Sequence, residues 1–84
     1  MGRMLDSRLV ETVSRTLGIE KGSVAAETSS ENTAGWDSVG HLNLILEVEE
    51  TFGVHFTSEE IPLLTSVGRL QEAVKARAEL RPKS

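Results

Sequence analysis

Apolar residues fall at helical spacing in separate stretches of this chain, and at the alternating spacing of a strand in none. That pattern restricts it to an all-α fold. Leu5, Leu9, Val13 and Leu17 recur every fourth residue, Met4 and Val10 widen the stripe, and Gly18 follows as a stop. A first helix is therefore predicted over residues 4–17. A second is predicted over 38–52, with Asp37 as its N-cap and Gly53 as its stop. Thr57 and Glu60 have capping-box spacing and announce a short third helix, which Pro62 confines to its first turns. The last helix is predicted over 66–79, with Val67, Leu70, Ala73, Val74 and Ala78 on one face. Residues 1–84 are expected to form one domain with a disordered tail from residue 80. The expected architecture is a small four-helix bundle: three main helices, one short third helix, and a long loop between helices one and two.

That loop, from Gly18 to Trp36, has no sustained period, and only Ile19 and Val24 are suited to pin it to a core. A structureless connection of this length in a small domain is commonly functional. The second helix carries more apolar residues than one buried face needs. With Val39 at zero on a helical wheel, Leu44, Ile45, Val48 and Phe52 fall between about 140° and 240°. Val39, Leu42 and Leu46 fall between about 300° and 360°, with Glu49 between the two groups. Burying the first group leaves the second exposed beside Glu47, Glu49 and Glu50, as a docking surface. The alternative is that the flanking helices cover both groups and Glu49 reaches out at a seam.

The formal net charge of −4 supplies nothing to neutralise a run of phosphates, so nucleic acid is excluded as a partner. Cysteine is absent, which removes disulfides, thiolate catalysis and cysteine-based metal sites. His41 and His55 lack metal-ligand spacing. No stretch approaches a membrane span, and the first residues lack the pattern of a secretory signal. A monomeric cytoplasmic protein that contacts no membrane is expected.

The remaining reactive feature is Ser38 in GWDSVG, at the predicted start of the second helix. In one reading Asp37-Ser38 only begins a helix. In a second, Ser38 is a hydrolase nucleophile. However, GWDSVG is not the G-x-S-x-G of a nucleophile elbow, no strand precedes it, and nothing evident orients His41. In a third, Ser38 carries a phosphate ester, which the free amides and positive dipole end of a helix N-terminus would accommodate.

The stretch GWDSVGHLNLILEVEETFG resembles the acyl carrier protein family, the phosphopantetheine-attachment domains. The resemblance spans nearly the whole chain. It includes Leu17-Gly18-Ile19, Val24, Asp37-Ser38-Val39, Glu49-Glu50, Phe52-Gly53, Glu59-Glu60 and Thr65-Ser66-Val67. It implies that Ser38, beside Asp37, carries a covalent 4'-phosphopantetheine arm. A separate phosphopantetheinyl transferase using coenzyme A and a divalent metal would attach it. The arm's thiol would hold an acyl or aminoacyl group as a thioester, and the protein itself would be a carrier, not an enzyme. An acyl- or aminoacyl-loading enzyme and downstream transferases or synthases would dock on Val39, Leu42 and Leu46. Glu47, Glu49, Glu50, Glu59 and Glu60 would meet basic residues of those partners.

The chain departs from carriers of housekeeping fatty-acid synthesis in having D-S-V rather than D-S-L, Trp36 before the motif, and Asn43 in the second helix. Ser30 and Ala34 stand where such carriers place bulky apolar loop residues. The resemblance therefore leans to specialised stand-alone carriers, among them aminoacyl carriers loaded by an adenylating ligase. A helical adaptor with an incidental serine is the competing class.

Overall fold

The structure, a computed structural model, describes residues 5–80, with side chains described through Arg77. Three α-helices carry the fold: α1 Ser7–Leu17, α2 Ser38–Phe52 and α3 Val67–Leu80. Two 3₁₀ turns, Lys21–Ser23 and Ile61–Leu63, sit in the connections. No β-strand occurs among the described residues; the one isolated bridge joins Ser29 to Ser66.

The first helix starts later than its apolar stripe suggests. Asp6 takes the cap, its carboxylate accepting from the Arg8 amide at 2.8 Å. Slight burial pushes the Asp6 carboxyl up, but its bonds to Arg8 more than offset this and hold it below the usual carboxylate range. Leu5 precedes the helix and still packs on the core, and Met4 lies outside the described residues. The last helix starts one residue late for a similar reason. Ser66 stands before it and its hydroxyl accepts from the Arg69 amide. Leu80 belongs to α3, so the expected tail begins no earlier than residue 81; residues 81–84 lie outside the described residues.

Both glycine stops behave as read. Gly18 and Gly53 are left-handed, at φ 70° and 64°, and their amides return to Ser14 O and Glu49 O. A β-branched side chain at Gly53 would meet the left-handed penalty directly. Gly53→Val is expected to destabilise the protein by about 1 kcal/mol or more in urea titration, and an unchanged midpoint would contradict it.

The expected short third helix appears as a 3₁₀ turn. Residues 57–60 form a turn, followed by the 3₁₀ turn Ile61–Leu63. Half of the capping box forms: the Glu60 amide donates to Thr57 Oγ1 at 3.2 Å. The Glu60 carboxylate also makes a two-toothed contact with Arg77 Nη2 of α3. Arg77 further donates to His55 O and lies over the Phe56 ring. Ties from α3 thus hold this segment alongside its local capping bond.

The core joins one face of each helix to the two connections. Leu9 and Val13 come from α1, Leu44, Ile45 and Val48 from α2, and Val67, Leu70 and Val74 from α3. Val24 and Trp36 descend from the first connection, and Val54, Phe56 and Leu64 from the second. The long loop is firmly tied. Thr28 O and Ala26 O accept from the Val67 and Gly68 amides, so the loop satisfies donors that α3's first turn would otherwise leave open. In return the Ser30 amide donates to Thr65 O. The buried Thr28 hydroxyl accepts from the Ala25 amide and donates to Ser23 O.

Candidate functional site

Ser38 is the first residue of α2 and is exposed. Asp37 supplies the cap as expected, accepting the Gly40 amide on Oδ1 at 2.8 Å while its carbonyl accepts the His41 amide at 2.7 Å. The Ser38 hydroxyl takes part in no hydrogen bond among the described residues. The helix thus begins on Asp37 alone and leaves the serine oxygen pointing into solvent beside the open amides of the first turn. A phosphodiester on Ser38 would fit here, beside the open amides of the first turn, while Asp37 accepts the Gly40 amide it caps.

The segment entering Ser38 is held from two sides. Gly35, at φ 92°, lays its carbonyl against Gly40: a Cβ on Gly40 would lie 2.1 Å from Gly35 O. Trp36 is 2% exposed, and its Nε1–H donates to His41 Nδ1 at 3.0 Å. His41 Nε2 lies 2.8 Å from Ile61 O. With Nδ1 accepting, Nε2 must carry the proton and donate to that carbonyl. The two rings are close to parallel, at 20°, with centroids 6.3 Å apart.

This network removes the hydrolase reading. Both nitrogens of His41 are engaged away from Ser38, so the imidazole cannot take the serine proton. No grouping of three metal-ligating side chains occurs among the described residues. No helix among them is long and apolar enough to cross a membrane.

The wheel of α2 divides as the docking reading requires. Leu44, Ile45 and Val48 are buried, while Val39, Leu42 and Leu46 are 68%, 56% and 62% exposed. Leu63, on the 3₁₀ turn Ile61–Leu63, is also 59% exposed; nothing in its local sequence marked it.

The acidic set is smaller than expected. Glu47 and Glu50 line α2, Glu47 lying 3.4 Å from Arg15, and Glu59 is exposed. Glu49 is turned inward: its side chain is only 15% exposed, and it accepts the Phe56 amide at 2.8 Å. Glu60 is held by Arg77, 2.5 Å away. Both carboxylates bond groups of their own chain, so less of each is free to meet a partner. Glu49 holds the segment leaving α2, and Glu60 ties the following turn to α3.

A family model described as "Phosphopantetheine attachment site" matches residues 7–74. The acyl carrier protein of Clostridium acetobutylicum is 29% identical over 76 residues, spanning 90% of this chain and 99% of that protein. Among solved structures, the solution structure of a holo acyl carrier protein from Geobacter metallireducens superposes with a TM-score of 0.76 at 25% identity. The match covers 92% of this chain and 93% of that one.

Proposed function

The chain belongs to the phosphopantetheine-attachment family of acyl carrier proteins, and from that premise we propose that Ser38 is the residue that bears its 4'-phosphopantetheine arm. Members of this family are carriers rather than enzymes. The observation that supports Ser38 most is its exposed, unbonded hydroxyl at the first residue of α2, already capped by its neighbour.

In the attachment step the Ser38 Oγ forms a bond to the phosphorus bearing the pantetheine of coenzyme A. The pyrophosphate P–O bond breaks and adenosine 3',5'-bisphosphate leaves. The serine proton passes to a base on the transferase, since His41 is engaged at both nitrogens. When bound, the arm supplies the thiol on which an acyl or aminoacyl group is held as a thioester. The chain's own work is to fix the serine at the end of a rigid helix and to present a surface beside it.

That surface is formed by Val39, Leu42, Leu46 and Leu63, rimmed by Glu47, Glu50 and Glu59. Partners with an apolar patch edged by basic residues fit it. Glu47→Lys combined with Glu50→Lys is expected to slow arm attachment by about three- to tenfold, through slower encounter. Its helical circular dichroism should be unchanged, because the exposed Glu47–Arg15 pair contributes little to stability. An unchanged rate with an unchanged spectrum would move docking elsewhere.

We place this carrier in a specialised pathway rather than housekeeping fatty-acid synthesis, with aminoacyl loading by an adenylating ligase as the second reading. Support comes from Trp36 before the motif, Val39 after the serine and Asn43 on the front of α2. The test of Ser38 is intact mass after incubation with coenzyme A, magnesium and a broad-specificity phosphopantetheinyl transferase, followed by peptide mapping. One added phosphopantetheine on the Ser38 peptide is expected. No gain in a folded protein would favour the adaptor class.

A further inference from the structure

Resting on Ser38 as the attachment residue, we infer that His41 is a positioning residue for arm transfer. Its imidazole clamps the start of α2 to the loop before it and to the turn Ile61–Leu63, and so fixes where the serine oxygen meets the incoming phosphorus. The need for such a clamp follows from where Ser38 stands. It is the first residue of α2, and its hydroxyl bonds to no described residue. Its aim is therefore set by the backbone beneath it. The first turn of a helix is the part most given to fraying, because its amides lack partners within the helix. Attack on the phosphorus, in line with the departing bisphosphate oxygen, tolerates little of this. A displacement of about 1 Å at the reacting atom can cost about a hundredfold in rate.

His41 brackets that turn from its backbone and from both ring nitrogens. Its amide donates to Asp37 O at 2.7 Å, closing the turn that contains Ser38. Its Nδ1 accepts from Trp36 Nε1–H at 3.0 Å, and its Nε2 lies 2.8 Å from Ile61 O. Trp36, two residues before Ser38, is buried in the core. Ile61, twenty residues beyond His41, packs against the same core from the second connection. One side chain thus fastens the serine's turn to two segments anchored elsewhere. The touching backbones of Gly35 and Gly40 limit how closely loop and helix approach. The imidazole bonds limit how far they part.

The clamp needs one acceptor and one donor on a single side chain. Neutral imidazole with Nε2 protonated supplies both, facing an indole N–H on one side and a carbonyl on the other. Bulk alone would not do this: a leucine there would fill much of the ring's volume and hold neither neighbour. It would also leave the buried indole N–H without its acceptor. A glutamine amide, by contrast, carries an acceptor and a donor at a similar separation.

The test is single-turnover arm attachment from coenzyme A, with a broad-specificity phosphopantetheinyl transferase in excess and varied in concentration. It is run where circular dichroism shows each variant folded, so that lost stability does not enter the rate. Peptide mapping of the wild type comes first. An arm on another residue, or none, would sink the attachment reading and this inference with it. For His41→Leu the maximal rate is expected to fall about ten- to hundredfold. Its half-saturating transferase concentration should stay within about twofold of the wild type, because the exposed residues Val39, Leu42 and Leu46 are untouched. His41→Gln should recover the maximal rate to within about threefold. Trp36→Phe keeps an apolar ring and removes only the indole N–H. It should lose about three- to tenfold in maximal rate, and it carries the test if His41→Leu does not fold. An unchanged maximal rate in either folded variant would overturn the inference. So would an effect confined to half-saturation, which would make His41 a docking residue. A glutamine variant as slow as the leucine variant would do the same, by making the ring's bulk the cause.

Discussion

Gly40→Ala is expected to destabilise this protein by about 1–3 kcal/mol, although alanine is ordinarily the better helix residue by about 1 kcal/mol. The sign reverses because of one contact. The added methyl would lie 2.1 Å from Gly35 O and 3.3 Å from both Gly35 C and Asp37 Oδ1. The nearest obstacle is a backbone oxygen and cannot rotate aside. Gly35 is itself at φ 92°, a conformation with few alternatives for the peptide it carries. Either the loop lifts from the helix or the first turn of α2 unwinds. Both movements strain the Trp36–His41 bond and the Asp37 cap, which lie on the same two segments. A fall in melting temperature of roughly 10 °C follows for a domain of this size. Arm attachment should slow in parallel, because the turn that moves carries Ser38. Gly22→Ala is the control. Nothing lies within 4 Å of its added methyl, and it should change stability by no more than about 0.5 kcal/mol. If Gly40→Ala were as stable as the parent, the contact between Gly35 and Gly40 would not hold the loop in solution.

The parts of the fold that were legible in the sequence are those fixed by neighbours in the chain. The ends of α2 follow from Asp37 and Gly53, whose roles need only four or five adjacent residues. The split of its apolar residues follows from the wheel, except that Phe52, expected to be buried, is only half-buried. What escaped was set by distant partners. Thr57 and Glu60 carry a helix-start pattern that leads only to the three-residue 3₁₀ turn Ile61–Leu63, and Arg77, seventeen residues from Glu60, also holds its carboxylate. Glu49 lies on the boundary of the wheel, and only the position of the Phe56 amide turns it inward. Trp36 was visible as a departure from related carriers, but its burial depends on His41 and Ile61. Gly40 offered a signal that could have been used. Glycine in a first helical turn is unfavourable unless something approaches closely. Asp6 offered another, as a capping residue inside an apolar stripe that continues past it.

Ser38→Ala is expected to lose arm attachment completely while leaving the fold as stable as the parent. The second half of this expectation is the informative one. Ser38 is exposed, its hydroxyl bonds to no described residue, and the helix cap belongs to Asp37. Alanine is at least as favourable in a helix, so the melting temperature should move by no more than about 2 °C. Asp37→Ala should show the opposite balance. It removes the acceptor of the Gly40 amide and should cost about 0.5–2 kcal/mol, while the nucleophilic oxygen survives and attachment is slowed rather than abolished. The pair of variants therefore separates a residue that receives the arm from one that holds it in place. A purely structural start to α2 would give the reverse for Ser38: a loss of stability on removing its hydroxyl and no effect on mass gain. Residual attachment in Ser38→Ala, mapped to another hydroxyl, would relocate the site, for example to the loop that precedes α2, part of whose backbone is already tied to the start of α3. Thr28 bonds within the loop, and Ser29 and Ser30 pair with residues 65 and 66. Ser38 combines exposure, an unbonded oxygen and a helical base within the attachment motif, and that combination is why its removal should silence the chain without unfolding it.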